Sequence, residues 1–568
     1  MTNALKFAWW LGFGMCTLLT ACERKSQTVS SATLTALDLK RGNISLCGPA
    51  DKQFGSVAFE VTGSDKIKAD FSLAVALLHS FEYDAAEKVF ARIIDQDPGC
   101  AMAYWGVAMC NYHPLWTPPT PAELAKGARA VALAQQLPGK SARETAYIDA
   151  LTAFYADHQR TDHHTRSVRF AQAMTRLATN FPRDTEATIF YALALDASAA
   201  PTDKTFRNQR KAGALLQRLQ RQQPNHPGIV HYLIHTYDYP ELAALALPAA
   251  RHYASVAPSS AHALHMPSHI FTRLGLWQEC IGSNLAAAAS AQCYAESAGL
   301  PGHWDEELHS LDYLVYAYLQ QGDTQRARSY WRYLDTIRQV TPVTFKVAYA
   351  YAAIPARCVL ETKQWDAAAQ MPLRPANFAW DEFPWQRAIT HFARALGSAR
   401  TGHAAQARTE VAQLSALHAA LLQQHDAYKA RQVDVQQRAA EAWLLLAKGK
   451  HAAALQRMQQ AADLEDQTEK HPVTPSEVLP ARELLADMLL ELQQPAAALA
   501  AYEATLQKHP NRFNALYGAA TAAEKAGQSK KATLYYQQLL TVAPAAETAR
   551  PELAAARLFL TNLQLQFI

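Results

Sequence analysis

The apolar positions of this chain follow a helical period over most of its length. From Phe71 almost to the C-terminus, apolar residues recur every three or four positions, as on one face of an α-helix. Residues 23–53 are polar and interrupted by glycine and proline, and residues 55–63 (GSVAFEVTG) alternate as in a short strand. We therefore predict a tether, a short irregular or β segment, and paired antiparallel helices from about residue 66 to 565 without a substantial sheet.

Small and aromatic residues recur in this helical region at a spacing of 34. Two copies of the pattern near the C-terminus are Ala498, Tyr502 and Pro510, then Ala532, Tyr536 and Pro544. The small residue permits close helix packing, the aromatic ring fills the space between repeats, and proline ends the helix. We expect Gly527 in the turn between the two helices of the last full repeat, with Ala532 and Tyr536 in the core. Further small residues at this spacing are Ala212, Ala246 and Cys280.

This pattern resembles the tetratricopeptide repeat (TPR). The resemblance implies an all-α fold, a right-handed solenoid of helical hairpins with a concave inner face. It also implies the family's usual role, which is to bind a protein or peptide partner in the concave groove. The predicted regions are 1–21 (signal peptide), 22–65 (tether and irregular segment), 66–225 (N-terminal repeats), 226–320 (histidine-rich central repeats) and 321–568 (C-terminal repeats).

The first residues indicate an export signal. Lys6 precedes an apolar run, Phe7 to Leu19, that is too short to span a bilayer. The following residues, Leu19-Thr20-Ala21-Cys22, resemble the lipobox of bacterial lipoproteins. The resemblance implies cleavage before Cys22 and acylation of that residue. Because Glu23 follows rather than Asp, it gives no inner-membrane retention signal, and we expect a lipid anchor in the outer membrane facing the periplasm.

Composition narrows the classes of function. The 568 residues carry a formal charge of +4, and 49% of them are hydrophobic. The near-neutral charge argues against a nucleic-acid partner, and the apolar content excludes a disordered chain. The sequence contains no GxSxG, P-loop, HExxH or CxxCH motif, so no enzyme class is indicated and the question of an activity stays open.

Six cysteines remain after the signal peptide and the lipidated residue are set aside. No two of them form a CxxC motif, and most lie in apolar helical context. The periplasm permits disulfides, but the pairing cannot be read from spacing. We favour buried free thiols for Cys47, Cys100, Cys110, Cys280, Cys293 and Cys358.

Histidines are concentrated in the central repeats. Nine of the 21 lie between His226 and His309. His231 and His265 occupy equivalent positions of consecutive repeats, and His235 and His269 are each one turn further along the same face. In the resembled family that face lines the groove, so we expect four imidazoles in one concavity. The residues expected within reach of them are His262, His309 and Asp312, with Asp238 extending the same stripe.

Such a cluster predicts a metal site. Neighbouring helices lie about 8–10 Å apart, so imidazoles from different repeats can meet at one ion. The candidate ligands are His231, His235, His262, His265, His269, His309 and Asp312, which suit Zn, Fe, Cu or Ni. The two alternatives are polar packing copied by repeat duplication, and a groove for an anionic or aromatic ligand.

Three details of this site follow from sequence. Asp238 and Tyr237 are the nearest candidates to hold the outer ring nitrogens. Occupancy should fall as pH drops through about 6.5, the ordinary histidine value. Pro267 should kink its helix and aim His262 and His265 differently from His269.

Two other pairs on the inner face are weaker candidates. Glu483 and Asp487, one turn apart, could bind a cation or act in acid–base chemistry, although a solvated acidic face is the commoner explanation. His79 and His113 are 34 residues apart, and we interpret them as packing near the turns.

Two functions therefore compete. The first is a membrane-anchored periplasmic TPR lipoprotein that holds a protein or peptide partner in its groove. The second is a metalloprotein, or a metal-dependent enzyme, that uses the central histidine cluster. The repeat pattern supports the first and the equivalent histidine positions support the second.

Overall fold

The computed structural model describes residues 29–49, 53–200, 203–543 and 550–565. The export signal, Cys22 and Pro544 lie outside these residues. Within them the chain is almost entirely helical, and the only sheet pairs two parallel two-residue strands, β1 (His303–Trp304) and β2 (Val340–Thr341). No helix in the described part of the chain is both long and apolar enough to cross a bilayer.

Twelve helical hairpins follow a short first helix, α1 (Ser31–Ala36). Those of the N-terminal half are α2 (Asp65–His79) and α3 (Tyr83–Gln96), α4 (Ala101–Cys110) and α5 (Pro121–Gln136), α6 (Ala142–Tyr155) and α7 (His163–Asn180), α8 (Thr185–Ala197) and α9 (Arg207–Gln220), and α10 (Pro227–Thr236) and α11 (Ala243–Val256).

In the sixth hairpin the first helix is divided into α12 (Ala261–His265) and α13 (Pro267–Leu274), and α14 (Trp277–Ser297) returns. The remaining hairpins are α15 (Asp305–Gln320) and α16 (Thr324–Leu334), α17 (Phe345–Leu360) and α18 (Trp365–Ala369), α19 (Pro384–Arg400) and α20 (Ala404–Gln423), α21 (Ala427–Ala447) and α22 (His451–Asp466), α23 (Ala481–Glu491) and α24 (Pro495–Lys508), and α25 (Phe513–Lys525) and α26 (Ser529–Val542). A final helix, α27 (Pro551–Leu565), covers the end.

Small residues let successive helices approach closely. A Cβ on Gly106 of α4 would overlap the ring of Phe90 in α3, and one on Gly518 of α25 would overlap Tyr502 in α24. Gly527, at φ +73°, makes the left-handed turn between α25 and α26, while Ala532 and Tyr536 are buried. The chain is a helical-repeat protein, and the prediction of an all-α hairpin solenoid is confirmed.

The segment before the hairpins differs from the prediction. Residues 53–63 form no strand, because no neighbouring strand is available to pair with them. They are instead held by side chains: Phe59 packs with its ring 5.1 Å from that of Phe71 and close to Trp105 and Tyr147. The alternation in the sequence therefore reflects one buried face of an extended segment rather than a sheet.

The solenoid contacts itself across distant repeats. Helix α2 packs against α10, and α15 packs against α25. The second contact is reinforced where the Trp277 indole Nε1–H donates to the backbone oxygen of Asn511 at 2.8 Å. Residues 467–480, between α22 and α23, also reach the inner ends of the central helices, where Lys470 meets Asp238 and Pro472 and Val473 face His309. The concave centre is therefore occupied by the chain itself.

Two cysteines correct the expectation of free thiols. Cys47 and Cys293 form a disulfide, with Cα atoms 6.0 Å apart, that ties the leading segment to α14. Sequence spacing could not reveal this pair, because 246 residues separate its members. The other cysteines in the described residues are buried free thiols, as expected: Cys100, Cys110, Cys280 and Cys358.

Candidate metal centre

Six imidazoles converge from the first helices of three consecutive hairpins. Helix α10 supplies two, the divided α12–α13 helix three, and α15 one, because an i, i+4 spacing places side chains on one helical face. All six rings are at most 9% exposed. The residues are His231 and His235, then His262, His265 and His269, then His309.

The first trio consists of His231, His235 and His262. The Nε2 atom of His231 lies 3.0 Å from that of His235 and 3.1 Å from that of His262. Three ring nitrogens therefore point at one small volume. Aromatic side chains surround it, with the Phe81 ring centroid 4.5 Å from that of His231 and the Trp116 centroid 4.9 Å from that of His235.

The second trio consists of His265, His269 and His309. The Nε2 atoms of His265 and His269 are 3.2 Å apart, and a nitrogen of His309 lies within 4.8 Å of both. The Tyr313 hydroxyl is 3.4 Å from His269 Nε2. The two trios are neighbours, since the His235 and His269 ring centroids are 6.3 Å apart.

The outer nitrogens of three rings are fixed as hydrogen-bond donors. His231 Nδ1–H donates to the backbone oxygen of His79 at 2.6 Å, and His265 Nδ1–H donates to Asn284 Oδ1 at 2.7 Å. The Asn284 amide is oriented by its own donation to the Cys280 carbonyl. His269 Nδ1–H donates to the Asp238 carboxylate at 3.0 Å. A neutral imidazole has one proton, so each of these three rings presents an unprotonated Nε2 to its trio.

The spacing of these nitrogens fits a bound ion. Metal–imidazole bonds of 2.0–2.1 Å in tetrahedral geometry place two ligand nitrogens about 3.3 Å apart. The observed Nε2 separations are 3.0, 3.1 and 3.2 Å. Each trio could therefore hold one transition-metal ion and leave a position for a further ligand.

Burial keeps the rings neutral. Loss of solvation disfavours the imidazolium and lowers the pKa of every ring in both trios, that of His262 to about 3. Neutral imidazole is the metal-binding form. The pH of about 6.5 expected for proton competition is that of an ordinary histidine, and burial shifts protonation of these rings to lower pH.

Asp238 is the charged support of the second trio. Arg273 Nε–H donates to its Oδ1 at 2.8 Å, and Lys470 Nζ lies 3.4 Å from its Oδ2. Burial alone would raise the pKa of Asp238, but these two cations hold it well below its usual range. The carboxylate thus stays charged and orients His269. Tyr237, the other predicted support, lies against Gly213 of α9 instead.

Three predicted carboxylates are engaged elsewhere. Asp312 is hydrogen-bonded to the buried Arg357, which reduces its availability as a metal ligand. Glu483 forms a buried pair with Arg512, at 2.6 Å from the guanidinium Nε. Asp487 accepts a hydrogen bond of 2.6 Å from the Tyr502 hydroxyl. Glu483 and Asp487 are therefore each paired with a side chain of a neighbouring helix or loop.

A third polar group stands beside the first trio. His79 and His226 each place Nε2 on one oxygen of Glu186, at 2.9 and 2.8 Å, and the Tyr232 hydroxyl is 2.9 Å from His79 Nδ1. Both rings direct a nitrogen at the carboxylate, whereas Nδ1 of His226 is buried without a hydrogen-bond partner among the described residues. The cluster also positions the His79 carbonyl for His231. His113, by contrast, packs near a turn against Tyr83, as predicted for that residue.

The division between the trios falls elsewhere than Pro267 suggested. His265 and His269 share a trio, while the ring of His262 groups with His231 and His235 of helix α10. Met266, before the proline, keeps helical angles (φ −52°, ψ −35°), so the i, i+4 pair stays aligned across the break.

Several residues around the site carried no signal in the sequence. Asn284 lies on a second helix, Trp116 in the loop before α5, and Lys470 in the loop before α23. None of them belongs to the periodic inner face that located the histidines. Only their contacts in three dimensions reveal them.

The comparisons with known proteins are limited to fold. No protein-family model and no curated protein sequence matches this chain. Among solved structures, it is similar to a human IFIT1 dimer with m7Gppp-AAAA at 11% identity, covering 85% of this chain and 96% of that one with a TM-score of 0.33.

Two other solved structures are similar to this chain. The Cut9–Hcn1 hetero-tetramer of APC/C matches at 14% identity over 87% of this chain and 96% of that one, with a TM-score of 0.26. The TPR domain of P58(IPK) matches at 15% identity over 67% and 99%, with a TM-score of 0.20. At these values no ligand or activity is carried over, and the helical-repeat assignment stands on the hairpins of this chain.

Proposed function

We propose that this protein binds two transition-metal ions, one in each histidine trio. The observation that carries the proposal is the pair His265 and His269. Each donates its Nδ1 proton outward, to Asn284 and Asp238, yet their Nε2 atoms face each other at 3.2 Å. Two unprotonated nitrogens at that distance repel each other unless a cation or a donor stands between them.

A proton is the poorer candidate for that cation. It would create an imidazolium in a buried site, and loss of solvation lowers the pKa of both rings. A metal ion instead binds several nitrogen lone pairs at once. The first trio offers a second set of ring nitrogens at a similar spacing.

The donor set favours copper. Within the described residues both trios are composed of imidazole alone, without thiolate or carboxylate. Imidazole suits Zn, Cu, Fe and Ni, and the Irving–Williams order places Cu(II) above the others at a given site. Zinc is the next best ion by this argument.

Metal analysis tests the proposal. Purified protein loaded with excess Cu(II) or Zn(II) and then dialysed should retain about two ions per chain. The double variant His265→Ala, His269→Ala should lose about one ion per chain. The double variant His231→Ala, His235→Ala should also lose about one ion, and both should keep the helical circular dichroism of the wild type.

A matched control removes two exposed histidines, His425 and His451. That variant should keep the full metal content. Retention of less than one ion per chain by the loaded wild type, or an equal loss in the control, would contradict the proposal.

We further propose that the mature chain is anchored by lipid on Cys22 in the cell envelope, in the outer membrane facing the periplasm. The Cys47–Cys293 disulfide supports an oxidising compartment. Cys22→Ser should release soluble or unprocessed protein. Unchanged processing and membrane fractionation of that variant would count against the anchor.

The solenoid is the kind of helical scaffold that commonly binds protein or peptide partners. In this chain residues 467–480 occupy the centre of the inner face, and the proposed groove residues Asp238, Glu483 and Asp487 are paired internally. A central peptide groove is therefore less well supported than the metal centre.

A further inference from the structure

Three neighbouring cavities that share lining residues lie beside the two trios. The outermost, of about 510 Å³, is bordered by the charged residues Lys40, Asp84 and Arg129. It shares Glu306 and Lys346 with a second cavity of about 200 Å³, which has His262 in its wall. A small space of about 20 Å³ then touches members of both trios, His262, His269 and His309.

Aromatic side chains form part of the wall of the 200 Å³ cavity. They include Phe81, Tyr83, Trp116 and Trp304. Trp116 and Phe81 also contact the rings of the first trio, so a molecule resting on them is next to the metal ligands. A cavity of about 150 Å³ suffices for benzene, so this one accommodates a single substituted ring.

One polar group in the wall lacks a partner. Glu306 Oε1 accepts a hydrogen bond from Lys346 Nζ at 2.5 Å, and Lys346 is also held by Asp305 at 3.0 Å. Glu306 Oε2 is buried and has no partner among the described residues. The other carboxylate in the wall, Glu82, already accepts from the Ser260 hydroxyl at 2.6 Å. A ligand that donates one hydrogen bond would satisfy Glu306.

Charge decides what kind of donor fits. Metal ions in the trios would make the inner end of the cavity strongly positive, and Lys346 adds a further cation in the wall. A charged amine is therefore repelled, although it would match the aromatic walls. A neutral hydroxyl can donate to Glu306 and still direct oxygen lone pairs at the ions.

We propose that this cavity binds a small phenol, with its ring on the aromatic wall and its hydroxyl donating to Glu306 Oε2. The proposal deepens the proposed function by naming the ligand class of the metal centre, and it rests on that function for the direction in which the hydroxyl points. The aromatic residues, the cavity size and the unpaired carboxylate oxygen select a small aromatic hydrogen-bond donor, and the charge of the proposed metal ions selects a neutral one.

The test measures binding of 4-fluorophenol by ¹⁹F NMR to zinc-loaded and to metal-free protein. The zinc-loaded protein should bind it roughly tenfold or more tightly than 4-fluorotoluene, which lacks the hydroxyl. Glu306→Gln should weaken 4-fluorophenol binding by a similar factor, and Trp116→Ala should weaken both ligands. Trp331→Ala, which alters a separate cavity of about 450 Å³, is the matched control and should bind as the wild type.

The outcomes separate the two proposals. Zinc-loaded protein that binds neither ligand, binds 4-fluorotoluene as well as the phenol, prefers 4-fluorobenzylamine, or is unaffected by Glu306→Gln would overturn the phenol site. A chain that retains no metal but still binds the phenol through Glu306 would refute the metal centre alone. Circular dichroism of each variant shows whether it is folded. If Trp116→Ala does not fold, Glu306→Gln still tests the site, because it preserves the size of the side chain.

Discussion

At the scale of single residues, burial determines the protonation state of the imidazoles in the two trios. Exposed histidine takes up a proton near pH 6.5, whereas the pKa of His262 is lowered to about 3 by loss of solvation. The rings therefore remain available to metal at pH values where surface histidines are charged. They also make the metal-free fold sensitive to acid.

The first prediction concerns stability against pH. Below pH 6.5 the unfolded chain binds protons at histidines that stay neutral in the fold, so the free energy of unfolding must fall as pH drops from 6.5 towards the lowered pKa values. Each such ring contributes up to about 1.4 kcal/mol per pH unit. Urea unfolding of metal-free protein at pH 7.5, 6.5 and 5.5 measures this slope.

The His265→Ala, His269→Ala variant isolates the two rings. Its slope should be shallower than that of the wild type by up to about 2.7 kcal/mol per pH unit, while the exposed-histidine variant should match the wild type. Equal slopes for all three proteins would mean that the second trio does not resist protonation in the fold.

The residues that the sequence places at equivalent repeat positions lie on one side of the hairpins, divided between two neighbouring trios. His231, His235, His265 and His269 were located because equivalent positions of consecutive hairpins face the same side. Asp312 occupies such a position as well, yet Arg357 of the next hairpin binds it. Periodicity gives the face of a side chain, but the partner depends on packing between helices.

At the scale of elements, the approach of α10 to α2 depends on one glycine. A Cβ on Gly228 would overlap the His79 ring, whose carbonyl orients His231. Gly228→Ala should therefore displace α10, cost about 1–3 kcal/mol of stability, and weaken metal binding at the first trio more than at the second. Thermal unfolding and metal titration would measure both effects.

Gly282→Ala on α14 is the control, because a Cβ there meets open space. It should leave metal binding unchanged and raise stability by up to about 1 kcal/mol through helix propensity. An equal effect of the two substitutions would show that contact with His79 is not the reason.

The sequence predicts the positions of the helices, but it does not predict the loop that covers the site. The helical period and Gly527 located the hairpins of the last repeats. Residues 467–480 have no period, and nothing in their composition indicates that Lys470 returns to Asp238 across 232 residues. Loops are placed by the surfaces they contact, which a single sequence does not describe.

At the scale of the whole molecule, the disulfide closes a loop of 246 residues. By chain-entropy arguments such a loop stabilises the fold by up to about 5 kcal/mol. Replacing both Cys47 and Cys293 with serine should therefore lower the melting temperature and expose residues 29–49 and 53–63 first to hydrogen exchange. Metal binding should persist, because neither cysteine contacts a trio.

Reductant supplies the control for this prediction. It should reproduce the loss of protection in the wild type and have no further effect on the double serine variant. Full protection of residues 29–49 and 53–63 in reduced protein would indicate that side-chain packing alone holds these residues.

The bond between His79 and His231 joins the first hairpin to the fifth, with three hairpins between them. Repeat proteins ordinarily tolerate copies gained or lost, because each repeat contacts only its neighbours. Here one added hairpin between α4 and α9 would offset the two residues by roughly a helix diameter, about 8–10 Å. The number of hairpins between α2 and α10 is therefore fixed by this contact. Single substitutions can preserve the contact, whereas duplication or deletion of a whole hairpin would break it.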